Sequence, residues 1–422
     1  MSAPLELPVE VQSTSEWVLT SQETDETQLY WRLGELHAER RVETVDHELV
    51  LYRDLDGLRG SASAYLMGDA GDGRRVETAL TAAALALNPP YRLPEGPAGY
   101  PPTALSADLL PDRDALVAWQ AEVEAEIARA GAKAAHFELF AGRQTSSIRA
   151  SNGRGHAWQG DQFLMDLVVA AGEGDDSVEF RLMRESRLLQ RLLPTAVLER
   201  ALRAVRDRSR AVLPPTGRMP VVLPASELAT LLSAVNVHTN GQFLVTGMLQ
   251  KKVGDALVEA QGDPITIACD PTLPYAVASA PTDGSTVPAR RLQLLEGGVI
   301  QSMHVNPQFG AYLETAPTGP VGTFVWEPGA AATADLFADG PVLEVLAFSA
   351  NMPDPMTGAF AAEIKMGYLH RGGERIPVAQ GSVTGNVFEA LARCRLSRDT
   401  EEDKGYFGPA LVRFEELQVA GA

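Results

Sequence analysis

Cysteine is scarce in this chain. Two occur in 422 residues, Cys269 and Cys394, far apart and in no CxxC pair. That excludes a disulfide framework and a sulfur-rich zinc site, and it fits a reducing compartment. A basic surplus is missing too, because 36 Lys and Arg stand against 55 Asp and Glu, for a formal charge of -19. A phosphate backbone would be repelled with no counterion release to favour it, so nucleic acid is not an expected partner. No apolar run approaches the roughly 18 residues of a membrane span. The opening "MSAPLELPVEVQ" lacks the basic and apolar regions of a signal peptide, so a cytoplasmic protein with no membrane partner is expected. Glycine patterns for dinucleotides or nucleoside triphosphates are absent, as is a G-x-S-x-G elbow.

What remains is an ordinary globular mix, 45% hydrophobic and 22% charged, in a chain longer than one core usually organises. An α+β fold is expected, with an N-terminal half of two similar multi-strand-plus-helix units and a C-terminal half of mainly antiparallel β. In the first unit, alternating runs in "LYWRLGELHAERRVETVDHELVLYRDLDGLRGSASAYLM" precede an Ala/Leu-rich helix over about Val76 to Leu87. The second repeats that order from Ala134, with turns at Asn152-Gly153 and Gly172 to Asp176, and ends in a helix that puts Val197, Leu198, Ala201, Leu202 and Val205 on one face. A Pro-rich passage, "NPPYRLPEGPAGYPP", and a helix over about Asp114 to Ala130 connect them. The prolines of "AVLPPTGRMP" mark a boundary, giving domains 1–213 and 214–422. Beyond it, Gly297-Gly298 and Gly372-Gly373 read as hairpin tips, with helices near Glu227 to Val235 and Thr333 to Ala338.

Several C-terminal motifs occur in order. "APTDGSTVPARRLQLLEGGVIQSM" carries Asp283, Gly284, Arg290, Arg291 and Gly298. "DPMTGAFAAEIKMGYLHRGGERIPVAQGSVTGNVFEAL" carries Asp354, Thr357, Gly358, Phe360, Gly381, Gly385 and Asn386. Read physically, the glycines permit positive φ, and Gly385-Asn386 offers a tight turn with an Asn cap for a short helix. The alternative is that a Gly-rich edge after Gly381 lets a peptide backbone pair with an exposed strand. On that reading Asp283, Gly284, Gly381, Gly385 and Asn386 are candidate peptide-channel residues.

Together these motifs resemble the TldD/PmbA family. The resemblance implies an H-E-x-x-x-H run in the TldD-type branch, where histidines hold zinc and the Glu is general base for water. Catalytic zinc wants about three protein ligands, an open water position and a carboxylate close to it. Aligned on "PVVL" at Pro220 to Leu223 and on Leu231-Leu232, this chain reads "SAVNVH": Ser233 and Ala234 replace the first ligand and the base, and only His238 survives. Serine is a poor zinc ligand and alanine accepts no proton. The family's further cysteine ligand has no counterpart in "DKGYFGPALVRFEEL". Cys394 reads as a buried residue of the "VFEALARCRL" helix. The other histidines, His37, His47, His136, His156, His304 and His370, are scattered singly. Where a Gly-rich segment usually precedes D-x-x-T-G, this chain has "LAFSANMPDP".

The resemblance thus implies the TldE (PmbA)-like branch, without zinc or catalytic residues of its own. Zinc would belong to a TldD-type subunit in a heterodimer acting on unfolded peptides. Two other readings stay open: a metallopeptidase active through an unrecognised metal site, and a homodimeric peptide-binding or scaffold protein without a peptidase partner.

Overall fold

Alternating apolar residues in the first half form one long antiparallel sheet in a computed structural model that describes residues 5–107, 109–172 and 177–421. Its strands are β1 (Glu16–Arg32), β2 (Glu35–Leu55), β3 (Leu58–Leu66), β4 (Leu87–Asn88), β5 (Lys133–Ala150), β6 (Gly155–Ala171) and β7 (Val178–Ser186). They lie in the order β4-β3-β2-β1-β5-β6-β7. β1 and β5 pair antiparallel from Val18↔Ala150 to Arg32↔His136, so the two expected units run outward from a shared centre. The first continues into α1 (Asp72–Ala83). The second is preceded by α2 (Arg113–Arg129) and followed by α3 (Leu189–Leu192) and α4 (Thr195–Asp207).

Each helix buries the stripe its spacing sets. Val76, Ala79 and Leu80 of α1 cover Leu19, Leu49, Leu51, Ala64 and Leu66 of the sheet. Leu198, Ala201, Leu202 and Val205 of α4 pack with α2 and with Phe137, Phe163 and Leu167. The expected helix end at Leu87 is corrected to Ala83. Gly60 of β3 lies so close that an added Cβ would sit 1.7 Å from the Ala83 carbonyl oxygen. That contact pins the helix end, and Leu87 then pairs with Gly60 as strand. Gly153 turns between β5 and β6 at φ +82°. Residues 173–176 of the second expected turn lie outside the described residues.

The chain leaves the first sheet through Val212, which exchanges hydrogen bonds with Pro377 and Ala379. The second half holds β8 (Gly217–Pro224), β9 (Ile267–Asp270), β10 (Leu292–Glu296), β11 (Val299–Ile300), β12 (Thr323–Trp326), β13 (Val342–Asn351), β14 (Ala359–Arg371), β15 (Glu374–Val378), β16 (Ser382–Asn386), β17 (Cys394–Leu396), β18 (Thr400–Asp403), β19 (Tyr406–Pro409) and β20 (Leu411–Ala420). Its helices are α5 (Ala225–Leu231), α6 (Ser233–His238), α7 (Gly241–Val245), α8 (Pro307–Tyr312) and α9 (Val387–Ala392). One sheet runs β11-β10-β9-β12-β19-β18, the other β13-β8-β20-β16-β14-β15. Because β13 also pairs with β14, the second sheet closes into a five-stranded ring with β15 and β17 attached. Most pairings are antiparallel; β12 with β19 and β13 with β8 are parallel. A single large core spans both sheets, with Leu228, Leu231, Ala234, Val235, Val387 and Leu391 of the short helices inside it.

Both glycine pairs turn hairpins at positive φ. Three local expectations need correction. Residues 227–235 form two helices broken at Leu232, not one. Residues 333–337 are a 3₁₀ turn. Cys394 is fully buried as expected but lies in β17, because α9 stops at Ala392 and the chain turns to pair Cys394 with Phe414 of β20.

Candidate functional site

β8 delivers the motif segment. Val221 to Leu223 of its PVVL run are buried, with Val221 and Val222 paired between β20 and β13, and Pro224 caps α5 and turns the chain inward. Glu227, one turn into α5, accepts hydrogen bonds from Phe348 N at 3.2 Å and Asn351 Nδ2 at 3.0 Å, which tie α5 to the end of β13. Burial raises its pKa above the usual carboxylate value, and those hydrogen bonds hold it down in part. Sequence reasoning passed over Glu227; the "LAFSANMPDP" stretch that departs from the family supplies both its partners.

In α6 the three motif positions separate. Ala234 is fully buried in the core and Ser233 is half-buried. His238 closes the helix with Nε2 2.9 Å from the Met356 carbonyl oxygen and its ring edge-on to Phe388, centroids 4.7 Å apart. A carbonyl only accepts, so Nε2 carries the proton and donates. Nδ1 is then left with a lone pair, buried and without a hydrogen-bond partner. Burial lowers the His238 pKa, with the Met356 contact opposing and Lys251 adding to the fall.

The Met356 carbonyl is held by the D-x-x-T-G turn. Asp354 Oδ1 accepts from Met356 N at 2.9 Å, and Thr357 Oγ1 donates to Asp354 Oδ2 at 2.8 Å. Gly358, at φ +75°, packs against Phe388, where an added Cβ would approach within 2.8 Å. Asn386 joins the parts. Its Oδ1 caps α9 through Phe388 N at 2.9 Å, while its Nδ2 donates to Thr357 O at 2.8 Å. Asn386 therefore caps the helix as expected, but Gly385 and Asn386 end strand β16 and are not a tight turn.

The zinc that the resemblance assigns to relatives does not fit these residues. Ala234 offers no donor atom and Ser233 only a hydroxyl, so the Nδ1 lone pair of His238 would stand without the further ligands that zinc requires. Among the described residues, no three His, Cys, Asp or Glu side chains lie close enough to hold a metal ion. Cys394 and Cys269 are buried thiols that burial pushes up to about 12 and about 11.

The peptide-channel candidates scatter. Gly385 and Asn386 line a cleft of about 750 Å³ with Phe360, Thr384, Phe388, Arg218 and Glu415. Gly381 does not line it; it sits at φ +75° against the Ala420 carbonyl. Asp283 and Gly284 lie apart in a turn where Asp283 Oδ1 accepts from Ser285 N and Val287 N at 2.8 and 2.9 Å. Burial raises the Asp283 pKa. Nor is the strand after Gly381 an open edge, since Ser382 to Thr384 pair with β14 on one side and β20 on the other. Only beyond Thr384, where β20 bulges between Phe414 and Leu417, is one side of β16 unpaired. Of the remaining motif residues, Arg291 lies 3.9 Å from Asp270, Arg290 is exposed, and Gly298 at φ +85° leaves no room for a Cβ beside the Val258 carbonyl.

Residues 216–421 match the model of the PmbA/TldA metallopeptidase C-terminal domain. An uncharacterized protein of Methanocaldococcus jannaschii is 25% identical over 269 residues, 60% of this chain and 62% of that protein. A metalloprotease of Archaeoglobus fulgidus is 25% identical over 266 residues, 58% of this chain and 60% of that protein. The match thus spans about three fifths of these curated relatives. The fold is shared over more of its length. TldE from Thermococcus kodakarensis superposes with a TM-score of 0.81 at 19% identity, covering 98% of both chains. A putative modulator of a DNA gyrase from Thermotoga maritima gives 0.79 at 19% identity, covering 96% of both. No helix among the described residues is long and apolar enough to cross a membrane. The C-terminal part of the chain, residues 216–421, thus matches the PmbA/TldA metallopeptidase C-terminal domain in sequence, and nearly the whole chain shares the fold of TldE.

Proposed function

We propose that this chain is a TldE-like subunit that holds unfolded peptides for a TldD-type zinc peptidase and does not hydrolyse them itself. The observation that carries this reading is that Ala234 is sealed in the core and that, among the described residues, no three His, Cys, Asp or Glu side chains, His238 included, lie together. A water on zinc would find neither base nor ligand set at these positions. The cleft beside Gly385 and Asn386 supports the binding half of the reading. There β16 has one unpaired side, on which an extended peptide could add main-chain hydrogen bonds, and Phe360 and Phe388 offer apolar contact.

The test is purification of the native protein from its own cells, followed by mass spectrometry, metal analysis and peptidase assay. A co-purifying TldD-type chain is expected, with zinc and hydrolysis of unfolded polypeptide in the complex and no hydrolysis by this chain alone. A homodimer that captures no such chain would replace the proposal with a scaffold role.

A further inference from the structure

Around α4 the charges come in pairs. Arg200 grips Glu401 at 2.7 and 2.8 Å, Arg184 lies 3.2 Å from Asp403, and His370 lies 2.7 Å from Glu344. One place breaks the pattern. Between the last turns of α4, the residues just after it and β15 is a solvent-open recess of about 440 Å³ lined by the half-buried Arg203 and the exposed Arg206, Arg210 and Arg375, with Asp207 and Pro377. Its one acid is already engaged, because Tyr368 OH donates to Asp207 Oδ2 at 2.8 Å and Arg210 pairs with Asp207 Oδ1. Among the described residues, Arg203, Arg206 and Arg375 have no carboxylate within ion-pair distance.

One of these arginines is positioned and another has a buried, unpartnered nitrogen. The Arg375 guanidinium lies 4.6 Å over the ring of Tyr368, which is fully buried and so gives a fixed platform. Arg203 has its Nε buried without a hydrogen-bond partner. The carbonyl end of α4 favours cations, which accounts for Arg206 and Arg210. It does not account for Arg375, which arrives from β15 in the other half of the chain.

We propose that this recess is an oxyanion site for a compact, multiply charged ligand of the phosphate class. Guanidinium forks match phosphate oxygens in pairs, and three unpaired forks in one recess suit a dianion better than a single carboxylate. The chain's charge of -19 repels an extended polyanion, so a small ligand fits this site where nucleic acid does not. A bound anion would bridge α4 and β15 and so brace the two halves of the chain against each other.

The test is calorimetric titration of the full chain at constant ionic strength with three probes: inorganic phosphate, pyrophosphate and phosphoserine. The first two represent a free ion and the third a phosphoryl group carried on a side chain. Saturable binding of at least one probe at one site per chain is expected. It should weaken about tenfold or more in Arg203→Gln and in Arg375→Gln, from the loss of charge-assisted hydrogen bonds. Arg375→Lys, which keeps the charge but not the fork, should fall between. Arg113→Gln, a surface arginine paired with Glu39, should bind as the unaltered chain does, and thermal unfolding of each variant without ligand checks that it is folded. No saturable binding up to about 10 mM of any probe, or equal binding by folded Arg203→Gln and Arg375→Gln variants, would overturn the proposal.

Discussion

His238 Nε2 donates to the carbonyl oxygen of Met356 across a distance of 2.9 Å. The contact turns a motif position into a structural clasp between α6 and the D-x-x-T-G turn. Where the family resemblance implies a metal ligand, the imidazole has become a strut that Phe388 packs from the side.

Replacing His238 by Ala removes one partly buried hydrogen bond and a ring contact. The expected cost is about 1–2 kcal/mol in stability, read by urea unfolding.

Ala234 tests how far the core has closed over the motif. Ala234→Glu would bury an unpaired carboxylate in a fully enclosed position. We expect loss of soluble folded protein or a destabilisation of about 3 kcal/mol or more, measured by thermal unfolding. Normal stability of this variant would show that position 234 still opens on a polar site.

Asn386 serves two partners, so its variants should separate. Asn386→Asp keeps the acceptor that caps α9 and loses the donor to Thr357. Asn386→Ala loses both and should cost about 1 kcal/mol more than Asn386→Asp, measured by chemical denaturation.

His304 supplies a pH dependence. It is buried, its Nε2 has no partner, and burial lowers its pKa to about 4 from an ordinary 6.5. A histidine with a depressed folded pKa binds its proton more readily when unfolded. Its neutral form therefore favours folding at pH 7, and that contribution is lost as pH falls from about 6.5 to about 4. The loss amounts to about 3 kcal/mol over that window. The difference in stability between the unaltered chain and His304→Gln, followed from pH 7 to pH 4, should shrink by that order.

Much of the fold was legible because the residues declare it locally. The double unit of the first half follows from alternating runs and from the α4 stripe at Val197, Leu198, Ala201, Leu202 and Val205. Both glycine hairpins follow from the positive φ they need. What sequence could not supply was closure of the ring through β13 and β14, which depends on contacts far apart in the chain. Nor could it supply the placement of β16 between β14 and β20, which removes the open edge expected after Gly381. The strand at Cys394 was hidden for the same reason, because pairing with Phe414 of β20 outweighed helix propensity. The partners of His238 and Glu227, a backbone carbonyl and an Asn at the end of β13, carry no pattern that spacing could reveal.

The most direct test is the zinc content of the purified chain, measured by mass spectrometry after removal of loosely bound metal, in the unaltered protein and in His238→Ala. The account predicts far less than one zinc per chain in both, with no difference between them. One zinc per chain in the unaltered protein, lost in His238→Ala, would contradict it.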